Sequence, residues 1–293
     1  MKIFDKASPV GFIGVGVMGG GMAHCLLRAG YSLHVHARNP QALQPFVAAG
    51  ATPAVSPAAL GKACGLVFLC LSDDAAVERV LFGQDGLAEG MAAGSCVVDT
   101  STIAASSARA FGERLKARGI AMLDAPISGG QQGAETGTLN TMIGGDAEVL
   151  AACKEVMGVF CKTMTHVGAL GAGQTVKACN QVAIAGALLG AADAVALAKS
   201  QGVDPAVMRE VLLAGTARSF VLEKHAQRVI AQDFKPGFRV NLMRKDLRIA
   251  LKTAQDAGAW LASAPVAERL LDELCESGRG ELDWAVLGQL IQE

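Results

Sequence analysis

The sequence predicts an α/β N-terminal domain built on a parallel sheet, followed by an all-helical C-terminal domain. Up to about residue 125, short apolar runs alternate with amphipathic stretches, which is the pattern of repeated βαβ units. A glycine-rich turn joins the first apolar run to the first helical stretch. After Gly173 only segments with the helical period follow. Together these observations favour a sheet covered by helices on both faces, and then a domain without strands.

The elements of the α/β domain follow from these runs. The predicted strands are Val10–Gly14, Leu33–Ala37, Leu66–Leu71, Cys96–Asp99 and Ala121–Asp124. The helices predicted between and after them are Met18–Ala29, Gln41–Ala49, Asp74–Leu81 and Ile103–Arg118. A further strand pair, Thr138–Ile143 and Cys161–Val167, with a helix at Ala147–Met157, is expected to extend the same sheet.

The helical domain is predicted to begin with a long helix. The expected helices are Gln174–Ser200, Pro205–Leu213, Ser219–Ala231, Leu242–Ala257 and Pro265–Ser277. Two of them start at Asp-Pro and Ala-Pro pairs, where proline suits the first helical position. We therefore assign residues 1–168 to the α/β domain and residues 169–293 to the helical domain.

Composition excludes several classes of protein. Of 293 residues, 51% are hydrophobic, and 26 Lys and Arg balance 27 Asp and Glu, which argues against disorder and against nucleic acid as a partner. Eight cysteines without a CxxC pattern and five histidines without HExxH predict reduced thiols and no metal site. The apolar stretch Val182–Ala198 is short for a bilayer span and contains Asp193. We expect a cytoplasmic protein without a membrane partner, in which this stretch is a buried helix.

The first glycine-rich turn has the spacing of a dinucleotide-binding loop. A GxGxxG pattern follows an apolar strand and opens a helix, so its glycines allow a tight turn and a close approach of the backbone to a pyrophosphate. The pattern alone occurs by chance in a glycine-rich chain, but the flanking strand and helix favour a Rossmann-type domain. The predicted cofactor contacts in this loop are Gly14, Val15, Gly16, Val17, Met18 and Gly19.

The end of the second strand predicts which dinucleotide is bound. An NAD enzyme usually carries Asp or Glu there, whereas this chain has Arg38 and Asn39. Because the guanidinium of Arg38 can pair with a 2′-phosphate, the sequence favours NADP over NAD as the cofactor, with NAD still possible. The alternative is that Arg38 is a solvated cation of the loop.

A second glycine-rich run follows the strand that ends at Asp124. Ser128, with the backbone amides near Gly129 and Gly130, can supply several converging donors to a carboxylate. Ordinary turns would explain any two of its glycines, but they explain the whole run less well. We therefore expect this loop to bind an acidic substrate.

The long predicted helix opens with polar residues on one face. Lys177, Asn180 and Gln181 are spaced i, i+3 and i+4, and nearly all the residues that follow in this helix are apolar. One interpretation is a lysine reaching the surface beside two capping amides. The other, which we favour, is an active site. Further on, Lys245 and Asp246 lie in an amphipathic helix, where spacing alone predicts a solvated surface pair.

Four motifs in order along the chain resemble the 3-hydroxyisobutyrate dehydrogenase family of β-hydroxyacid dehydrogenases. They are the loop Gly14–Gly19, the segment Asp124–Gly130, the segment Gly171–Asn180 and the tripeptide Lys245–Leu247. The Asn180-Gln181 pair, where the family commonly has two asparagines, and the segment Phe234–Arg239 look like the tartronate semialdehyde reductase branch.

The resemblance implies roles for individual residues. Lys177 is implied as the catalytic proton carrier, and Ser128, Gly129, Gly130 and Asn180 as substrate contacts. Thr102 is implied to lie beside the nicotinamide and the substrate. Lys245, Leu71 and Ser72 are implied as cofactor contacts, although Ser72 stands where the family often has proline.

The expected reaction is reversible hydride transfer between NADP(H) and a small 3-hydroxy acid or its semialdehyde. Candidate pairs are of the 3-hydroxyisobutyrate, glycerate/tartronate semialdehyde and 4-hydroxybutyrate/succinic semialdehyde types. As an ammonium, Lys177 can donate a proton to the developing alkoxide, and as a neutral amine it can accept one during oxidation. The resemblance also implies a homodimer or homotetramer. The alternative is a non-catalytic dinucleotide-binding or scaffold protein of the same fold.

Overall fold

A computed structural model describes residues 3–291 of the chain. The chain divides into two compact units, one ending at Lys177 and the other beginning at Ala178. The first unit is an α/β fold around one sheet, and the second is built from helices.

The first unit contains a nine-stranded sheet. Its strands are β1 (Val10–Ile13), β2 (Leu33–His36), β3 (Thr52–Pro53), β4 (Leu66–Leu69), β5 (Cys96–Asp99), β6 (Ala121–Asp124), β7 (Ile127–Ser128), β8 (Leu139–Gly144) and β9 (Cys161–Gly168). They lie in the order β3-β2-β1-β4-β5-β6-β8-β7, with β9 paired to β8. Strands β1 to β6 run parallel, β8 is antiparallel to β6 and β7, and β9 is parallel to β8. The chain winds outward from β1 to β3 and then returns to β4, so the winding reverses between β1 and β4. In open sheets of this kind, ligands bind at the carboxyl ends of the strands that flank such a reversal.

Helices connect these strands in the first unit. Three of them begin at a polar side chain that accepts a hydrogen bond from the first turn, namely Ser56, Asp73 and Asp146. The helices are α1 (Val17–Arg28), α2 (Gln44–Ala48), α3 (Pro57–Ala63), α4 (Asp74–Phe82), α5 (Leu87–Gly90), α6 (Ala105–Lys116), α7 (Gly130–Thr136) and α8 (Ala147–Met157).

The central strands β1, β4 and β5 are buried at every position, which is why they are almost continuously apolar. Phe12 and Phe68 belong to a core cluster on one face, and Phe160 packs edge-on against Phe68 there. Ile13 and Leu69, the residues that follow in β1 and β4, belong to a separate cluster on the other face. The prediction of a sheet covered on both faces is confirmed, and the sheet is mainly parallel; β8 and β9 extend it as predicted, with β8 antiparallel to β6.

The second unit packs its helices around the buried side chain of Trp284. Helix α9 starts in the first unit and continues into the second, and its apolar positions Ala185 and Leu188 are part of this core. The helices are α9 (Ala172–Ser200), α10 (Pro205–Leu213), α11 (Ala226–Ala231), α12 (Val240–Asp256), α13 (Ala264–Glu276) and α14 (Leu287–Leu290).

Two predicted helices differ from those in the structure. In place of one helix over Gln41–Ala49, a 3-10 turn (Pro40–Leu43) precedes α2. The predicted helix Ser219–Ala231 contains a π-helical turn at Val221–His225. There Arg209 donates to the carbonyl oxygens of Leu222 and Glu223 and so occupies acceptors that a regular helix would use itself.

The long helix α9 is less buried within the chain than the buried helix that the sequence predicted. By length and composition it could cross a membrane, but the core helices of soluble proteins pass the same test. Of an apolar 18-residue stretch of this helix, 39% is buried in the chain.

All eight cysteines are free thiols, and five of them are buried.

Candidate active site

The glycine loop between β1 and α1 leaves room for a phosphate group. Gly14 has a φ of +96°, and a Cβ there would lie 2.2 Å from the carbonyl oxygen of Cys70. A Cβ at Gly19 would lie 1.9 Å from the carbonyl oxygen of Gly14. Gly16 is exposed, and a Cβ there would meet no atom of residues 3–291 within 4 Å. Gly14 and Gly19 therefore allow the turn to close, while Gly16 leaves open space at the tip of the loop.

The first turn of α1 adds donors to this space. Gly16 is the N-terminal cap residue, and within residues 3–291 no side chain caps the helix there. Uncapped amide groups and the helix dipole favour an anion at such an end. The loop therefore fits the pyrophosphate of a dinucleotide.

Arg38 and Asn39 follow β2, as predicted for the adenosine end of a dinucleotide. Arg38 is exposed two residues beyond the strand. Oδ1 of Asn39 accepts a hydrogen bond from the amide of Gln41 at 3.1 Å and so caps the 3-10 turn. The sequence did not reveal this structural role of Asn39.

The loop after β5, which carries Thr102, is fixed by its neighbours. The amide and the hydroxyl of Thr100 both donate to the carbonyl oxygen of Leu69, at 2.8 Å and 2.6 Å. Oγ of Ser101 accepts from the amide of Leu71 at 2.8 Å. These bonds join the ends of β4 and β5, so Leu71 and Thr102, both predicted near the cofactor, are held in one region of the first unit.

Ser72, the departure from the family pattern, is exposed and bonded locally. Its hydroxyl donates to Oδ2 of Asp73 at 2.7 Å, and Oδ1 of Asp73 caps α4 through the amide of Ala76. Ser72 therefore bonds to the residue that caps α4.

Gln174 is a residue of this site to which the sequence assigned no role. Its side chain is 2% exposed; Nε2 donates to the carbonyl oxygen of Ser101 at 2.8 Å, and Oε1 accepts from the amide of Ile103 at 3.1 Å. The two bonds lie on either side of Thr102 in the chain. Gln174 thus ties the Thr102 loop to the first turn of α9, three residues before Lys177.

Asp124 fixes the start of the same helix. Its Oδ1 accepts from the amide of Gly171 at 2.7 Å, and its Oδ2 accepts from the amide of Gln174 at 2.8 Å. The sequence showed Asp124 only as the first residue of a motif. Its carboxylate satisfies amide groups that the helix itself leaves without acceptors.

Lys177 lies against the loop that is predicted to bind a carboxylate. Its Nζ donates to the carbonyl oxygen of Ile127 at 2.9 Å, one residue before Ser128, and its side chain is 8% exposed. Gly129 and Gly130 both have positive φ, +135° and +65°, which explains why glycine occupies these positions. The structure therefore brings the ammonium and the Ser128–Gly130 loop together.

Two buried carboxyl groups lie side by side at the ends of β5 and β6. Asp99 pairs in register with Asp124, and both are fully buried. Burial raises the pKa of Asp99 to about 6; its hydrogen bonds to Ser101 oppose that shift, and the nearby Asp124 and Asp74 add to it. Burial also raises the pKa of Asp124, against the hydrogen bonds from Gly171 and Gln174. Among residues 3–291, Oδ2 of Asp99 has no hydrogen-bond partner.

The remaining predicted residues belong to the second unit. Nδ2 of Asn180 donates to Oε1 of Gln181 at 2.7 Å, and Nε2 of Gln181 donates to Oδ2 of Asp246 at 2.7 Å. Oδ1 of Asp246 lies 3.0 Å from Nζ of Lys245. The expected solvated surface pair is therefore wrong for Asp246, which is 3% exposed, because a partner from α9 covers it.

The described part of the chain holds no group of three His, Cys, Asp or Glu side chains that could bind a metal ion. The chemistry available at this site is hydrogen bonding to a dinucleotide and a carboxylate, together with a lysine that can exchange a proton. Helix α9 carries both Lys177 and, one turn further, Asn180.

Two family models match the chain in succession. Residues 9–168 match the NAD binding domain of 6-phosphogluconate dehydrogenase. Residues 171–291 match the model described as NAD-binding of NADP-dependent 3-hydroxyisobutyrate dehydrogenase.

Individual proteins are similar to the chain over nearly its full length. It is 35% identical to 2-hydroxy-3-oxopropionate reductase of Escherichia coli, with 97% of each chain covered. It is 36% identical to 3-hydroxyisobutyrate dehydrogenase of Pseudomonas aeruginosa, with 88% of each covered. A structure of 3-hydroxyisobutyrate dehydrogenase from Mycobacterium tuberculosis with L-serine superposes with a TM-score of 0.90 at 27% identity, covering 98% of this chain and 99% of that one.

Proposed function

Because this chain belongs to the 3-hydroxyisobutyrate dehydrogenase family, we propose that it interconverts a small hydroxy acid and its aldehyde acid with NADP(H) through proton exchange at Lys177. It is an NAD(P)-binding oxidoreductase that acts on the CH–OH group of hydroxy acids, not a non-catalytic dinucleotide-binding or scaffold protein.

The contact between Lys177 and the Ser128 loop carries the proposal. The 2.9 Å bond from Nζ to the carbonyl oxygen of Ile127 holds the ammonium beside the donors of Ser128, Gly129 and Gly130. A carboxylate bound by those donors would place the substrate's reacting oxygen within reach of Lys177. Asn180, one turn along α9, is the further substrate contact.

The bound dinucleotide supplies or accepts the hydride. The protein orients the substrate and moves a proton. During reduction the Lys177 ammonium polarises the carbonyl oxygen and donates its proton as negative charge develops there. During oxidation neutral Lys177 takes the hydroxyl proton, and the carbonyl oxygen of Ile127 keeps Nζ in place in both directions.

The loop Gly14–Gly19 would hold the pyrophosphate, and Arg38 with Asn39 the adenosine end. Leu71, Ser72, Thr102 and Lys245 are the other proposed cofactor contacts. Gln174 and the bonds around Ser101 support Thr102, which is the residue we place beside both the nicotinamide and the substrate.

Among possible substrates we favour the glycerate and 2-hydroxy-3-oxopropionate pair. The E. coli relative of that name supports this choice, as does the Asn180-Gln181 pair. Acids of the 3-hydroxyisobutyrate and 4-hydroxybutyrate types are the other candidates.

The test of the function is turnover of a panel of short aldehyde acids with NADPH and of the matching hydroxy acids with NADP⁺. We expect measurable kcat/KM for at least one pair, highest for the 2-hydroxy-3-oxo acid. No turnover of any member would contradict the proposal.

The cofactor preference is tested by comparing NADPH and NADH in the wild type and in Arg38→Ala. Loss of a charge-assisted contact to the 2′-phosphate should lower kcat/KM for NADPH about tenfold or more and leave that for NADH nearly unchanged. A wild type that prefers NADH, or a ratio unchanged by the substitution, would contradict this part.

We also propose a homodimer or homotetramer in the cytoplasm. Val207 and Val211 are exposed on α10 and support association through the helical unit. Eight free thiols suit a reducing compartment. Light scattering of the purified protein tests the first part, and a monomer at micromolar concentration would contradict it.

A further inference from the structure

Gln181 and Asp246 form a buried polar pair in the helical unit that the proposed chemistry does not use. Gln181 is 2% exposed, and its Nε2 donates to Oδ2 of Asp246 at 2.7 Å. The other oxygen of Asp246 lies 3.0 Å from Nζ of Lys245. Because burial removes water from a carboxylate, these two donors compensate for the hydration that Asp246 loses.

This pair determines which way round the Gln181 amide lies. A carboxylate only accepts hydrogen bonds, so Gln181 must present Nε2 to Asp246 and Oε1 on the opposite side. There Oε1 accepts from Nδ2 of Asn180 at 2.7 Å. The bond to Gln181 fixes the orientation of the Asn180 amide, and Oδ1, the acceptor of that amide, can take a hydrogen bond from a ligand.

We propose that Asp246 and Gln181 are positioning residues that orient Asn180 to accept a hydrogen bond from a hydroxyl group at carbon 2 of the substrate. The inference rests on the proposed contact between Asn180 and the substrate. A hydroxyl at carbon 2 can donate to Oδ1 of Asn180, whereas a hydrogen or a methyl group cannot. The carboxylate of Asp246, acting through Gln181, therefore selects for hydroxylated acids.

Glycerate and 3-hydroxypropionate test this selection, because they differ only in the hydroxyl at carbon 2. We would measure kcat/KM for both with NADP⁺ in the wild type, Asp246→Asn and Gln181→Met. Asp246→Asn introduces an amide that can donate a hydrogen bond to Oε1 of Gln181, so the side-chain amide of Gln181 is free to adopt the flipped orientation. Met at position 181 has nearly the same size as Gln and forms no such bonds.

The wild type should prefer glycerate, and the ratio of the two kcat/KM values should fall about 3- to 10-fold in each variant, as expected for one neutral hydrogen bond. Asp246→Glu keeps the carboxylate and should retain more of the preference than Asp246→Asn. Asp272→Asn is the matched control, because it removes a carboxylate from the same unit that bonds only Arg244 and Arg248 among the contacts described.

Cofactor binding is measured separately by NADPH fluorescence, since Asp246 also contacts Lys245. If Gln181→Met fails to fold, Gln181→Asn replaces it, because the shorter amide cannot span the same two partners. A wild type without preference for glycerate would overturn the inference, and so would an unchanged ratio in folded variants at both positions.

Asn180→Ala separates this inference from the proposed function. If Asn180→Ala lowers the ratio but the Gln181 and Asp246 variants do not, only the positioning role is overturned. If Asn180→Ala leaves the ratio unchanged, the assignment of Asn180 as a substrate contact falls, and the inference falls with it.

Discussion

The two units hold their polar side chains in different ways. In the first unit, the side chains of Gln174 and Asp124 bond to backbone groups at strand ends and at the start of α9. In the second unit, Asn180, Gln181 and Asp246 bond to one another's side chains. A site anchored to backbone is rigid wherever the sheet is rigid, whereas a site made of side-chain bonds depends on each partner's identity.

This difference predicts that substitutions in the first unit affect folding and the chemical step, and that those in the second unit affect discrimination between ligands. Substitutions in the two units test that contrast, and the largest effect is expected at Lys177.

Replacing Lys177, where the backbone-anchored unit ends, should have the largest effect on the reaction. Lys177→Ala removes the proposed proton donor and its charge, so kcat should fall by about 10²- to 10⁴-fold in reduction and oxidation. Alanine is a good helix former, so α9 and NADPH binding, followed by fluorescence titration, should be retained.

Lys177→Arg is the control, because arginine keeps the positive charge but scarcely releases a proton. It should remain severely impaired, above all in oxidation. Activity near that of the wild type in either variant would show that Lys177 only anchors the substrate, and the proton would then have to be carried by another group.

Gln174→Leu should show how far the first unit depends on backbone anchoring. It would leave the buried carbonyl oxygen of Ser101 and the buried amide of Ile103 without their partner, at a cost of about 2–4 kcal/mol in the free energy of unfolding. Urea denaturation measures this, and Gln44→Leu, at an exposed glutamine of the same unit, should change stability by less than about 0.5 kcal/mol.

Gln181→Met completes the comparison, because its main effect should be on the ratio of glycerate to 3-hydroxypropionate turnover. Equal losses of stability in Gln174→Leu and Gln181→Met, with no change in that ratio, would remove the contrast between the units.

The sequence predicted what the first unit shows along the chain and missed what depends on distant partners. The glycine loops, the parallel strands and Lys177 were visible because their signals lie within a few residues of one another. Gln174 was missed because its partners, Ser101 and Ile103, lie more than 70 residues away in the chain. Gln181 and Asp246 are separated by 65 positions, and only folding shows that they meet.

Short elements were also missed, for a local reason. Strand β7 has two residues and α5 has four, so neither contains a full hydrophobic period. Strand β7 nevertheless positions Ser128, because it pairs with β8 in the register Ser128 to Asn140. The sequence therefore predicted a binding role for Ser128 without predicting the strand that holds it.

Ser128→Ala should have an intermediate effect. Loss of one donor to a charged carboxylate should lower kcat/KM for the acid. The loss should correspond to about 1.5–3 kcal/mol in activation free energy. The dissociation constant for NADPH should stay the same. Weaker NADPH binding with unchanged substrate kinetics would mean that the loop binds the cofactor and not the substrate.

A further expected effect concerns the pH dependence of stability at Asp99. Burial, with smaller contributions from Asp124 and Asp74, raises the pKa of Asp99 from an ordinary value of 3.8 to about 6. The fold therefore favours the protonated form, and the stability contributed by Asp99 is complete below about pH 4 and is lost as pH rises through 6. An asparagine stays neutral throughout, so Asp99→Asn should unfold at higher urea concentration than the wild type at pH 8 but not at pH 4.

The gain in the free energy of unfolding at pH 8 should be about 1–2 kcal/mol. The new amide group occupies the position of Oδ2, which has no partner among residues 3–291, and an unpaired amide offsets part of the benefit of removing the charge.

Asp272→Asn in the helical unit should behave in the opposite way. Burial is the largest single influence and raises the pKa of Asp272, but the hydrogen bonds and charges of Arg248 and Arg244 together outweigh it and hold that pKa below its usual value. The ionised form is therefore favoured there, and its loss should destabilise the protein at pH 8 more than at pH 4. If both variants changed stability in the same direction with pH, the contrast between a raised pKa at Asp99 and a lowered pKa at Asp272 would be wrong.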